Sequence, residues 1–167
     1  METKEMKATS KQTWMLFCLT KKDWRNEDLT VAEASQMISD LQDKKEREKE
    51  DLINMVNEAK ERGIKAGNDH SPNPMNVTDG KKTWHVSEGV CGFAWVHCTA
   101  KGNTKLSRFL KDNCGFRRSY YGGVDYHISL FNQSYERKIK HAEAMAKYLN
   151  DNINQRGISF YADGRLD

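Results

Sequence analysis

The apolar positions of this chain change period partway along it. From 10 to 19 the run SKQTWMLFCL predicts a short helix with Trp14, Phe17 and Cys18 as its apolar face. After a polar loop around Trp24, Thr30 opens a second helix. Glu33 stands three residues on, which makes a T-x-x-E capping box, and Val31, Ala34, Ile38 and Leu41 follow at helical spacing. Residues 42–51, QDKKEREKED, carry no apolar side chain and cannot lie on a buried face. Leu52, Ile53, Val56 and Ala59 then resume the stripe. The pattern predicts one helix from about 30 to 62, bare in its middle, with Gly63 and Gly67 as C-terminal stops.

Beyond 82 the period shortens. Residues 90–99 predict a strand, and Asn103 or Thr104 caps a short helix with Leu106, Phe109 and Leu110 inward. A strand over 116–121, a Gly122-Gly123 hairpin turn and an alternating strand over 124–131 follow. Ser134 is expected to cap a long helix carrying Ile139, Ala142, Met145 and Leu149 on one face, and ISFYA at 158–162 supplies a last strand. The order β-α-β-β-α-β is the ferredoxin-like arrangement. The fold class is therefore α+β: a helical module over 1–65 with a long helix, a Gly/Pro/Asn-rich linker over 66–82, and a ferredoxin-like domain over 83–167.

Composition narrows the function. The chain has 167 residues, 31% charged and 10% aromatic, too ring-rich for a disordered tail. No apolar run approaches the roughly 20 residues of a membrane helix, and the N-terminus lacks an apolar signal core. A cytoplasmic protein with no membrane partner is expected. The four cysteines form no C-x-x-C pair, so free buried thiols are expected and no metal. With no phosphate-cradling glycine motif, no cofactor is expected either.

Charge is unevenly placed. Residues 1–80 carry 13 Lys and Arg against 16 Asp and Glu, whereas 81–167 carry 14 against 8. The positive field of the second half suits a polyanion or an acidic protein. Alternation puts Phe93, Trp95 and His97 on one face of the first strand, and Asp125, His127 and Ser129 on the matching face of the third. Lys105, Arg108 and Lys111 cluster on the short helix, and Arg117, Arg118, Tyr120 and Tyr121 surround the hairpin turn. Rings beside guanidinium groups are what single-stranded nucleic acid binding uses. These nine residues (Phe93, Trp95, Lys105, Arg108, Lys111, Arg117, Arg118, Tyr120, Tyr121) form the expected nucleic-acid or partner surface. The aromatics could instead pack against the N-terminal module.

Three resemblances bear on these residues. Gly92-Phe93-Ala94-Trp95-Val96 resembles part of the RNA-recognition-motif signature, on the first strand where that family carries it on the third. His97-Cys98-Thr99 and His127-Ile128-Ser129 both read H-x-[ST] and resemble the motif pair of two-histidine phosphoesterases. With first and third strands adjacent and parallel, His97 and His127 would be acid and base, and Thr99 and Ser129 would hold phosphate. Such an enzyme would act on cyclic nucleotides or RNA.

Finally, Ala8-Thr9, Lys11-Gln12, Leu29-Thr30 and Glu33-Ala34-Ser35 resemble a small helical module of phage and mobile-element proteins, often attached to DNA-processing domains. FNQSYERK at 131–138 also resembles phage proteins. The resemblance implies a non-enzymatic phage-type binding protein. Its most concrete form is an anti-CRISPR-like inhibitor of a host nuclease, whose partner would be nucleic acid or the nucleoprotein effector. An oligomeric scaffold built on the charged helix is a further alternative.

Overall fold

The computed structural model describes residues 6–167. The chain divides into two compact units, Met1–Leu52 and Ile53–Asp167. Among the described residues no helix is long and apolar enough to cross a membrane.

The first unit holds helix α1 (Ser10–Thr20) and the beginning of helix α2 (Val31–Asp69). Both helix starts are capping boxes. The Thr9 hydroxyl accepts from the Gln12 amide and the Gln12 side chain accepts from the Thr9 amide; Thr30 and Glu33 repeat the exchange. The same Gln12 side chain donates to the Val31 carbonyl and the Ser35 hydroxyl, both at 2.9 Å. Backbone bonds Ala8–Leu29 and Val31–Met6 pair the segments leading into the two helices. The residues of the phage-like resemblance therefore act as a latch between two helix N-termini.

The face expected on α1 is corrected. Leu16 is its buried residue, while Trp14 is 65% exposed and Phe17 and Cys18 also face solvent. An 11-residue helix held at its N-terminal end buries one turn's worth of side chain, and the two rings stack on each other instead (centroids 5.5 Å apart). The latch, and not the apolar stripe, sets which side of α1 turns inward.

α2 runs unbroken through the charged 42–51 stretch, whose side chains are all exposed. It continues seven residues past the expected stop at 62, because Gly63 and Gly67 lie inside it. A Cβ at Gly63 would overlap the His141 ring, and one at Gly67 would overlap Phe131 and the Arg137 carbonyl. These glycines are contact points with the rest of the second unit, so close packing overrides their poor helix propensity.

The linker is likewise not structureless. Residues 66–69 are helix, and strands β1 (Met75–Thr78) and β2 (Thr83–Val86) form an antiparallel hairpin where only a loop is expected. Asp79 closes its turn by accepting from the Lys81 and Lys82 amides.

The rest of the second unit is the ferredoxin-like layer: β3 (Gly92–Cys98), α3 (Lys105–Asn113), β4 (Arg117–Arg118), β5 (Val124–His127), α4 (Tyr135–Asn152) and β6 (Phe160–Leu166). The sheet order is β4-β5-β3-β6, antiparallel throughout. Parallel pairing of the first and third strands is therefore corrected to antiparallel. The expected two-residue Gly122-Gly123 turn is corrected to a reversal over 119–123: Ser119 stands opposite Gly123, Tyr120, Tyr121 and Gly122 form the tip, and both glycines have positive φ; the α3 crossover leaves β5 running against β3. The strand expected over 116–121 is two residues long, and the Ser119 amide donates across the reversal to the Gly123 carbonyl.

Alternation sorts β3 as expected, whereas β5 ends at His127, short of the expected end at 131, and Leu130 is exposed. Ala94, Val96, Cys98, Val124 and Phe160 are at most 2% exposed, under Leu106 and Leu110 of α3 and Met145 and Leu149 of α4. Each fully buried Leu or Met stabilises by roughly 1.5–3 kcal/mol. The Thr104 hydroxyl caps α3 by accepting from Ser107. Ser134 sits at the N-cap of α4, yet its hydroxyl donates to the Glu88 carbonyl at 2.8 Å rather than capping the helix. Cys98 and Cys114 are buried, and burial pushes both thiols up; Cys18 is exposed.

Candidate nucleic-acid interface

The helices cover one face of the sheet. The other face is built by the side chains that alternation turns outward. Register places Phe93 across from Arg165, Trp95 between His127 and Asp163, and His97 between Asp125 and Tyr161, with Arg117 beyond Asp125. β3 is central, so its rings sit in the middle of the face. Phe93, Trp95 and His127 form a cluster with centroids 5.7–6.3 Å apart, and Tyr161 lies 4.8 Å from the His97 ring. Phe93 and Trp95 are half-buried, while His127 and Tyr161 are exposed.

Charge frames the rings. The Arg165 guanidinium lies 5.6 Å from the Phe93 centroid, and the Lys138 ammonium lies 5.4 Å from it. Burial lowers the His127 pKa below the ordinary imidazole value, and the Lys138 and Arg117 cations add to that, so the ring is neutral at pH 7. His97 is 8% exposed and its Nδ1 donates to the Asp125 carboxylate at 2.5 Å. That bond fixes the ring against Tyr161 and beside the Gly123 turn, where a Cβ would lie 3.2 Å from its Nε2. Asp163 accepts from the Gly164 amide. The face is thus aromatic and imidazole rings bordered by cations, with one of its two acids already committed to His97.

The nine expected surface residues fall in three places. Phe93, Trp95 and Arg117 share the helix-free face. Arg118 is exposed on the short edge strand, and Tyr120 and Tyr121, 95% and 85% exposed, stand at the hairpin tip with their rings edge to face. Lys105, Arg108 and Lys111 belong to α3, in the helical layer behind the sheet. Arg108 donates to the Asn103 carbonyl and Lys111 to the Gly102 carbonyl, so these two also fasten the loop that enters α3.

The H-x-[ST] elements are separated by the antiparallel register. His97 and His127 share a face as diagonal neighbours, but Thr99 lies beyond one end of the pairing and Ser129 beyond the other. Six residues along β3 divide their levels, about 20 Å at strand rise. Thr99 instead accepts from the Ser159 amide. The expected phosphate-holding pair of hydroxyls is therefore not assembled. Among the described residues no group of three or more His, Cys, Asp or Glu side chains is placed to hold a metal ion.

Tyr161 and Arg165 on this face, and Lys138 beneath it, are not among the expected site residues. Tyr161 and Arg165 follow from the same two-residue alternation applied to FYADGRL. Lys138 had a signal too: it falls in step with Ala142, Met145 and Leu149 on the buried side of α4, where a lysine is anomalous.

No protein-family model, no curated protein and no solved structure matches this chain.

Proposed function

We propose that the ferredoxin-like unit binds single-stranded nucleic acid on the helix-free face of its sheet, within a non-enzymatic protein of phage or mobile-element type. The observation that carries this reading is the Phe93–Trp95–His127 ring cluster at the centre of that face, bordered by Arg165 and Arg117. A duplex offers no unstacked base to such a platform, whereas a single strand lays successive bases on it.

The test is fluorescence-anisotropy titration with a labelled deoxythymidine oligomer of about 12 nucleotides, within the usual footprint of such surfaces. Trp95→Ala and Phe93→Ala should each weaken binding by about 1–3 kcal/mol, the range for one lost base stack. Unchanged affinity in both variants would remove this reading.

The hairpin supports a second reading, in which the partner is a nucleic-acid-handling protein. Two tyrosines more than four-fifths exposed on a glycine-braced tip have the residue type of interface anchors. The phage-like resemblance makes a host defence nuclease, a CRISPR effector among them, the partner to try. Inhibition of a purified effector that survives Tyr120→Ala and Tyr121→Ala together would exclude the tip.

A further inference from the structure

Lys138 is the least comfortable charge in the second unit. The residue is 4% exposed, and its ammonium makes one hydrogen bond, to the Gly92 carbonyl at 3.0 Å. An ammonium can donate three. Among the described residues no carboxylate pairs with Lys138, and none pairs with Arg165 or Arg117. A buried charge without a counter-ion is destabilising unless something outside the chain balances it. In the drier interior its field also reaches further than that of a surface lysine.

The place where that field emerges is the Phe93 corner of the sheet. Lys138 lies under the half-buried Phe93 ring, exposed Arg165 lies against the same ring, and His127 with Arg117 forms the adjoining side. Two cations, Lys138 and Arg165, meet at the Phe93 ring, and Arg117 lies further along the face on the other side of His127.

Resting on the reading that this face takes single-stranded nucleic acid, we infer that the corner is a phosphate subsite. One backbone phosphodiester of the strand sits against Arg165 and His127, over the buried Lys138, while the adjoining base stacks on Trp95. Lys138 is a positioning residue: it does not have to touch the phosphate, because its charge beneath Phe93 makes this corner the most favourable spot for an anion. Arg165 is the contact residue, and His127 is held neutral until an anion arrives.

Lys138→Met keeps the length of the side chain and deletes the charge. The variant should melt no lower than the parent, since an unpaired buried ammonium is gone. Its affinity for the 12-nucleotide oligomer should fall about tenfold, and the slope of log affinity against log salt should shrink by about 0.7, one phosphate's worth on a single strand. A wild-type affinity and slope in a folded Lys138→Met protein overturn the subsite and leave the ring platform standing. Failure of the wild-type protein to bind the oligomer overturns both.

A second measurement needs no variant. Lys138 from α4 and Arg117 from β4 act on His127, and His97 and Trp95 from β3, its own strand's Asp125, and Asp163 and Arg165 from β6 share its face. A phosphate set against His127 adds a negative charge that favours the protonated ring. Histidine NMR of the wild-type protein should show the His127 pKa rising by about half a unit or more when the oligomer is bound. An unmoved His127 with the oligomer bound overturns the subsite.

Discussion

His141 is a histidine sealed from water on every side. It is 2% exposed, neither ring nitrogen has a hydrogen-bond partner, and it packs edge to face against Phe131 and so close to Gly63 that a Cβ there would overlap the ring. Burial lowers its pKa to about 4. The folded protein keeps the ring neutral while the unfolded chain protonates near 6.5, so acid favours unfolding. Stability is complete above about pH 6.5, declines as pH falls, and levels off below about 4. The loss over that window is about 3 kcal/mol. Urea melts between pH 7 and 4 should show this decline, and His141→Leu should flatten it. A variant with the parent's slope would assign the decline to other groups.

At the scale of elements, two joints carry the fold, and both rest on few residues. The α2–α4 joint depends on the missing side chains at Gly63 and Gly67. Gly63→Ala would gain about 1 kcal/mol of helix propensity, yet its methyl would drive into a rigid imidazole, an overpacking effect of about 1–3 kcal/mol. The expected outcome is a net loss of up to about 2 kcal/mol, read as an earlier urea midpoint with an unchanged slope. The second joint is the Gln12 latch of the N-terminal unit. Gln12→Ala removes bonds to the Thr9 amide, the Val31 carbonyl and the Ser35 hydroxyl together. It should lower the stability of that unit by about 1–2 kcal/mol. Hydrogen exchange should then speed up at the α1 amides, while those of β3 stay protected.

At the scale of the whole molecule, the positive half of the chain is two basic surfaces and not one. Arg165 and Arg117 border the rings; Lys105, Arg108 and Lys111 lie on the helical side and are partly engaged with backbone carbonyls. Binding through the ring face predicts an asymmetric response. Arg165→Ala should weaken oligomer binding and reduce its salt slope by about 0.7. Lys105→Ala with Arg108→Ala should leave both close to the parent. The reverse result would move the ligand to the helical layer.

What the linear pattern determined, and what it left to the folded chain, divides along a physical line. Helix starts, strand alternation and the glycine turn were legible because they depend on neighbours within a few residues: a Thr three positions before a Glu, an apolar residue at every second position, two glycines where φ must be positive. The ferredoxin-like order followed from the same local signals, and so did the ring-bearing side of β3. Tertiary structure decided everything that depends on where distant segments meet. It set the antiparallel register that parts Thr99 from Ser129, and it turned Gly63 and Gly67 from helix stops into contact points. It also put Arg108 behind the sheet and Arg165 on it, and brought the Lys138 charge beneath Phe93. A periodic pattern names the face a residue occupies on its own element; only the packed sheet and helices fix what that face is set against.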